Sequence, residues 1–411
     1  MNEEKLLQPR LRFLGFEELC WENKNLGEVV NFYSGLTYSP SNIVRRNGTL
    51  VLRSSNVQNG QLALEDNVYV ESKVVNSNNV KVGDIVVVVR NGSKSLIGKH
   101  AQILTPMPNT VIGAFMTGIR TDQSNFVNAL LDTPLFKKAV EKNLGATINQ
   151  ITTGVFKEME FHFSSSDKEQ TKIGNFFTNT DQQLILHQSK LTKLQQLKKA
   201  MLDKMFPKQG ATVPEVRFSG FNKNWESKIL GHDIADIIGG GTPNTMDNRY
   251  WDGDIDWYAP TEIGASPFAC SSNKKITQLG LDNSSAKWLP ADRTILFTSR
   301  AGIGDMAILK SRATTNQGFQ SLVLKEGYNT YFVYSLGHLI KSYAMRNASG
   351  STFLEISGKL LGKMEVKVPS VAEQTKIGEY FQSLDHLIAL QEKQIKKLEN
   401  IKQSFLEKMF V

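Results

Sequence analysis

Two cysteines, Cys20 and Cys270, are all that the 411 residues contain, and they lie far apart with no Cys-x-x-Cys spacing. That scarcity excludes a disulfide framework and a cysteine zinc site, and it fits a reducing, intracellular compartment. Long apolar runs are missing as well. The stretch MNEEKLLQPR has none, and the most apolar run, Ile85 to Val89, is far too short to span a bilayer and reads as a buried strand. The expectation is a cytoplasmic chain with no membrane contact.

The usual marks of a catalytic centre are also absent. Each Gly-Lys pair, at 98, 358 and 362, is followed by His100, Leu360 or Met364 where a phosphate-binding P-loop needs Ser or Thr. There is no GxGxxG loop for a nucleotide and no Asn-Pro-Pro-aromatic element to grip a base for methylation. Six histidines (His100, His162, His187, His232, His338 and His386) occur without HxxxH or HxH spacing, so a metal site would need assembly from distant segments. Asp252, Asp254 and Asp256 resemble the start of a calcium loop, but Trp257 and Ile263 stand where that loop needs glycine and glutamate. They read as turn and strand residues.

What is present is a moderately basic, well-packed composition. Hydrophobic residues make up 40% of the chain, enough for two or more cores, and the formal net charge of +8 favours a polyanionic partner. Charge of this size is not by itself a nucleic-acid signal.

The strongest feature is an internal repeat. EQTKIGNFFTNTDQQLILHQSKLTKLQQLKKAMLDKMF at 169–206 returns as EQTKIGEYFQSLDHLIALQEKQIKKLENIKQSFLEKMF at 373–410, with 16 of 38 positions identical at an offset of 204. A second echo opens each half: PRLRFLGF from Pro9 and PEVRFSGF from Pro214, followed by WENKNLG from Trp21 and WESKILG from Trp225. Between these ends, residues 31–140 and 232–345 share little beyond scattered glycines and strand-like runs. The expectation is a duplicated frame with unlike contents.

The frame is helical. Ser166 with Glu169, and Ser370 with Glu373, form the S-x-x-E capping-box pattern. Apolar residues then recur at spacings of three, four and seven: Leu184, Leu191, Leu194, Leu197, Met201 and Met205 match Ile388, Ile395, Leu398, Ile401, Phe405 and Met409. One narrow stripe on a helix otherwise rich in Lys and Gln implies packing against a single partner, and the obvious partner is the other copy. From Asp181 to Phe206 such a helix is about 40 Å long, and Pro207 supports a stop there. A dimerisation coiled coil with a solvated lysine face gives the same pattern.

Within the halves, LVLRSSNVQNGQLAL and VGDIVVVVRNG alternate β-rich runs with turn residues, as do DIDWYAP, RTILFTSRAGIGDMAIL and FQSLVL. Both halves place an arginine where a strand runs out into a glycine-bearing loop: Arg90 before Asn91 and Gly92, Arg300 before Ala301 and Gly302. An arginine there suits close approach to phosphate or a fork offered to guanine, and also fits an exposed loop residue of no special role. Gly145, Thr147, Asn149 and Gln150 correspond by position to Gly350, Thr352, Leu354 and Glu355, polar turn residues that either reach base edges or cap the next helix.

GGGTPNTMDNRYWDGDIDWYAPTEI from Gly239, RTILFTSRAGIGDMAI, and PSVAEQTKI from Pro369 together resemble the specificity subunit of type I restriction-modification systems, over essentially the whole chain. In the first half GLTYSP from Gly35 matches that pattern more weakly. The resemblance implies two target-recognition domains, each reading one part of a bipartite asymmetric DNA sequence, held in opposite orientations by paired conserved helices. It also implies partners: two modification subunits that transfer methyl groups from S-adenosylmethionine, and restriction subunits that cleave using ATP and Mg. This chain would bind none of those cofactors itself and would not be an enzyme.

The resulting expectation is an α+β protein with boundaries at 1–165 (first recognition domain), 166–213 (helical spacer and linker), 214–369 (second recognition domain) and 370–411 (second spacer). Candidate DNA-contacting residues are Arg53, Ser54, Asn56, Arg90, Asn91, Ser93, Lys94, Thr147 and Asn149 in the first half, and Thr242, Asn244, Arg249, Tyr250, Thr261, Arg300 and Thr352 in the second. The competing reading is a coiled-coil adaptor whose two globular domains bind proteins. Salt-dependent DNA binding separates the two.

Overall fold

The structure is a computed structural model that describes residues 8–45, 47–144, 149–300, 302–350 and 354–411. The chain divides into two compact units, Met1–Gln188 with Lys393–Val411, and Ser189–Glu392. Both S-x-x-E sites start long helices, Asp167–Lys204 and Val371–Met409. At 38 residues the first is about 57 Å long, well beyond the 40 Å expected, because it begins at its cap rather than at Asp181. Each helix begins in one unit and ends in the other.

Only half of each capping box forms. Ser166 and Ser370 accept from the backbone N–H groups of Glu169 and Glu373 at 3.5 and 3.4 Å, but the glutamates do not reach back. Glu169 takes both the Nε and Nη2 of Arg12 at 2.8 and 2.7 Å, and Glu373 takes the same atoms of Arg217, both at 2.7 Å. These arginines belong to the PRLRF and PEVRF echoes. One residue earlier in each echo, the Leu11 N–H donates to the Lys408 carbonyl and the Val216 N–H to the Lys204 carbonyl, each at 2.9 Å. Each opening segment therefore clasps the start of one long helix and caps the end of the other, satisfying terminal groups that a helix leaves open.

Behind each clasp lies the same aromatic cluster. In the first unit Trp21, Phe126, Phe177 and Phe410 are buried together, with Phe126 and Phe410 centroids 5.3 Å apart. In the second unit Phe206, Trp225, Phe332 and Phe381 repeat the arrangement at 5.8–6.1 Å. In both, the last turn of one long helix packs antiparallel on the first turns of the other, and burial of such rings dominates core energetics.

The contents of the frame, expected to be unlike, share one strand plan. The first unit has an antiparallel sheet ordered Asn31–Ser34, Met116–Arg120, Ile85–Val88, His100–Gln102. The second has Ala235–Gly239, Gln320–Leu324, Thr294–Phe297, Met306–Leu309, extended by a parallel Phe268–Ala269. A second sheet in each joins a parallel pair to an antiparallel strand: Thr110–Ile112, Thr49–Leu52 and Val68–Val70, then Thr314–Thr315, Trp251–Tyr258 and Lys274–Ile276. Sequence similarity fades because strands such as Thr49–Leu52, Ile85–Val88, Thr294–Phe297 and Met306–Leu309 are buried at every position, and any β-prone apolar residue of suitable size serves there.

Most of the helical stripe points inward, with Met205, Ile395 and Met409 buried and Leu184, Leu191, Leu194, Met201, Ile388, Leu398, Ile401 and Phe405 half-buried. Leu197 is the correction: it is 40% exposed. The inward position four residues beyond Leu194 falls to Lys198, whose Nζ meets Asp385 Oδ1 at 2.5 Å, while Tyr331 donates its hydroxyl to Asp385 Oδ2 at 2.7 Å. In the first unit the equivalent residues exchange helices: Lys402 meets Asp181 at 2.7 Å and also Asp132 at 2.5 Å, and His100 Nε2 lies 3.3 Å from Asp132.

Burial works to raise the Asp132 carboxyl, but His100 and Lys402 outweigh it and hold the group far below the ordinary carboxylate range. Asp181, on the far side of Lys402, is raised by burial and so has the opposite sign. A depressed carboxyl contributes stability above its unfolded value of about 3.9, lost as pH falls through the folded one. Asp132→Asn is expected to flatten the fall of the urea midpoint as pH is lowered below about 4. Parallel curves for the variant and the parent would show that Asp132 does not titrate with unfolding.

Candidate nucleic-acid interface

In the first unit, strand Ile85–Val88 continues to Val89 and Arg90 and opens into a loop. The Arg90 backbone bridges to Gln150, and the Asn91 N–H donates to the Asn149 carbonyl at 3.2 Å. The Asn149 amide donates to the Gly92 carbonyl at 2.8 Å, the Asn91 amide donates to Ser54 Oγ at 3.0 Å, and Asn91 Oδ1 accepts from the Ser93 N–H at 3.0 Å. The candidates Ser54, Arg90, Asn91, Ser93 and Asn149 are thus brought together, and Lys94 follows Ser93 at an exposed position. Asn91 and Asn149 hold the loop with their amide groups.

Asn56 does not belong to the surface. It is fully buried, with Oδ1 accepting from the Arg53 N–H and Nδ2 donating to the Ala63 and Asp66 carbonyls, so it folds the turn and reaches no ligand. Arg53 is engaged too, donating to Asp66 Oδ2 at 2.7 Å and to its carbonyl at 3.1 Å. Arg90 is different. Its guanidinium lies over the Phe115 ring, 5.0 Å from the centroid, and makes no hydrogen bond or ion pair among the described residues.

In the second unit the Gly-rich segment is held by two indoles. Trp257 Nε1 donates to the Gly241 carbonyl at 2.8 Å and Trp251 Nε1 to the Asn244 carbonyl at 3.1 Å, the rings meeting edge to face at 5.1 Å. A Cβ on Gly240 would stand 2.1 Å from the Asn316 carbonyl oxygen, so only glycine fits there. Thr242 donates to Gln317 Oε1, which sits beside Asn316, whose own N–H donates to the Tyr258 carbonyl. Thr261 is exposed on the 3-10 turn Pro260–Glu262. Asn244 is exposed and its Oδ1 accepts from the Met246 N–H; Tyr250 is half-buried. Arg249 faces Asp247, with its Nη2 2.7 Å from Oδ2, and the bonded guanidinium holds the Asp247 carboxyl below its usual range.

Arg300 occupies the place of Arg90. The residue before each arginine donates its N–H to a loop carbonyl (Val89 to Phe115 at 3.0 Å, Ser299 to Gly318 at 2.8 Å) and accepts from an isoleucine (Ile151 at 2.9 Å, Ile356 at 3.0 Å). Each arginine then bridges to the residue before that isoleucine, Gln150 or Glu355. The Arg300 guanidinium likewise makes no hydrogen bond or ion pair among the described residues. Among the described residues, two of the four candidate arginines are tied to carboxylates, Arg53 and Arg249, whereas Arg90 and Arg300 are not. Thr147 and Thr352 lie outside the described residues, as do Gly145 and Ala301.

Phe115 and Gln317 escaped sequence reasoning. Phe115 precedes a strand and reads as one more apolar strand residue. Gln317 carries no local signal, since its role depends on Thr242, 75 positions away. Among the described residues no cluster of His, Cys, Asp and Glu is placed to hold a metal, and no helix is long and apolar enough to cross a membrane.

Comparison with known proteins points one way. The model of the type I restriction modification DNA specificity domain matches twice, at residues 19–196 and 222–400. The type I restriction enzyme MjaIX specificity subunit of Methanocaldococcus jannaschii is 35% identical over 193 residues, 46% of this chain and 44% of that protein. A type I restriction enzyme specificity subunit of Escherichia coli is 31% identical over 169 residues, 39% of this chain and 41% of its own length. The chain thus spans less than half the length of these curated relatives. The crystal structure of the type I restriction-modification S subunit from M. genitalium superposes with a TM-score of 0.64 at 18% identity, covering 98% of this chain and 99% of that one, a likeness of fold.

Proposed function

Because the chain belongs to the family of type I restriction modification DNA specificity domains, with both of its halves matched, we propose that it is the DNA-reading subunit of a type I restriction-modification complex. Each unit reads one half of a bipartite, asymmetric site. The observation that carries this is the equivalence of Arg90 and Arg300: in two halves with little sequence in common, the same strand exit presents a guanidinium that makes no hydrogen bond or ion pair among the described residues. Such a planar fork matches the O6 and N7 of guanine in the major groove.

Catalysis in this reading lies with partners. Two modification subunits carry S-adenosylmethionine, restriction subunits carry ATP and Mg, and the helix pair docks the modification subunits. Methylation mapping of genomic DNA with and without the gene tests the function. A split motif that vanishes with the gene is expected; an unchanged methylation pattern sinks the proposal. Binding of the complex to duplex DNA is also expected to weaken steeply with salt, as phosphate contacts require.

Helix length sets the unread gap between half-sites. Adding about two turns to each long helix, on the order of 10 Å, keeps the stripes in register and is expected to widen the gap by about three base pairs at roughly 3.4 Å each, with the same bases read. A gap of unaltered length would remove the ruler.

A further inference from the structure

The two equivalent arginines differ in what lies beneath them. In the first unit the carbonyl that receives the Val89 and Arg90 N–H groups belongs to Phe115, a residue 51% exposed whose ring stands under the Arg90 guanidinium. In the second unit that carbonyl belongs to Gly318. No side chain can be added there without displacement, because a Cβ would meet Pro260 Cγ at 2.7 Å and Asn316 Oδ1 at 3.0 Å. Among the described residues no ring lies under the Arg300 guanidinium, and the space that corresponds to Phe115 is bordered by Pro260, in the turn that carries Thr261.

An arginine on a loop loses rotamer freedom when it binds, which weakens what its hydrogen bonds contribute. A ring face attracts the guanidinium and fixes its plane while leaving the N–H edge open. The surrounding polar side chains do not compete for that edge: Asn91 and Asn149 hold the loop, and Arg53 is tied to Asp66. We propose that Phe115 is a positioning residue for sequence reading, presenting Arg90 edge-on to one guanine of the first half-site. This rests on the DNA-reading function proposed above.

The test uses the full chain in complex with its modification subunits and a pool of randomised duplexes, sequencing the bound fraction. The wild type is expected to enrich a split motif with one guanine fixed in the first half. Arg90→Ala is expected to relax preference at that guanine by about ten- to a hundredfold, and Phe115→Leu by about tenfold at the same position only. Phe115→Tyr, which keeps the ring face, is expected to retain the preference, and the other half-site and the salt slope stay as in the wild type. Because Phe115 is half-exposed, equal thermal unfolding of the Leu and Tyr variants is expected, and it separates positioning from folding. Full preference in Phe115→Leu, or equal loss in the Leu and Tyr variants, overturns the proposal. So does a uniform loss of affinity with a smaller salt slope in Arg90→Ala, which marks a phosphate contact. Failure of the wild type to enrich any split motif overturns the DNA-reading function itself.

Discussion

Glu169→Ala is expected to destabilise the first unit by about 3–5 kcal/mol, the cost of leaving a buried charge without its partner. The Arg12 side chain is 6% exposed and that of Glu169 is fully buried. With the carboxylate gone, Arg12 Nε and Nη2 lose both bonds, and the Leu19 and Glu17 carbonyls at 2.8 and 3.4 Å remain as neutral acceptors, both for Nη1. Ser164 loses a partner as well, since its hydroxyl donates to Glu169 Oε2 at 2.5 Å. Because the same clasp anchors the start of a long helix, local rearrangement cannot easily expose the arginine. Urea denaturation followed at the first unit's transition measures the loss, and a change below about 1 kcal/mol, typical of exposed pairs, would refute the argument. The double variant Arg12→Met with Glu169→Leu is expected to recover much of the loss, because apolar groups of similar size can replace a buried pair at little net cost.

Exchanging residues 214–369 for the same region of a family member is expected to replace one half of the DNA target completely and leave the other unchanged. Each unit has its own core, its own sheets and its own clasp, so what the exchange must respect is the seam. Phe206 stays behind and packs on Trp225 and Phe332 from the incoming segment, at centroid distances of 6.1 and 5.8 Å, with Phe381 on its other side at 5.9 Å. Arg217 comes in with the segment and must meet the resident Glu373. A donor with tryptophan, phenylalanine and arginine at those places is expected to give a stable hybrid, read out by methylation mapping. A target changed in both halves, or in neither, would show that the units do not read independently.

The frame was legible because its signals are local. A serine three residues before a glutamate and apolar residues at helical spacing are decided within one or two turns. The glutamate's actual partner was not legible: Arg12 lies 157 positions away, and the PRLRF echo advertises repetition without saying what it repeats for. Lys198 and Lys402 looked like part of a solvated face, yet each sits inward against an aspartate of the other helix, a pairing visible only when the two helices are laid together. The common sheet order was hidden for a different reason. It depends on long-range pairing between strands that need only be apolar and β-prone, so the plan outlasts the residues. At the interface the strand-exit arginines stood out by their glycine neighbours, whereas Asn56 was misjudged because nothing in SSN tells a buried turn residue from an exposed one. Phe115 gave no signal, since its function lies in the residue stacked above it.

The first unit's aromatic cluster is completed by Met409 and Phe410, more than two hundred residues after Phe177. The second unit's cluster is built wholly from residues between Met205 and Leu384. On the ribosome, then, the half that is translated first is finished last: its phenylalanines wait, partly uncovered and prone to stick to other nascent chains, until the closing turn emerges from the exit tunnel. A premature stop codon a few residues before Leu406 would leave the later-made half whole and cripple the earlier one.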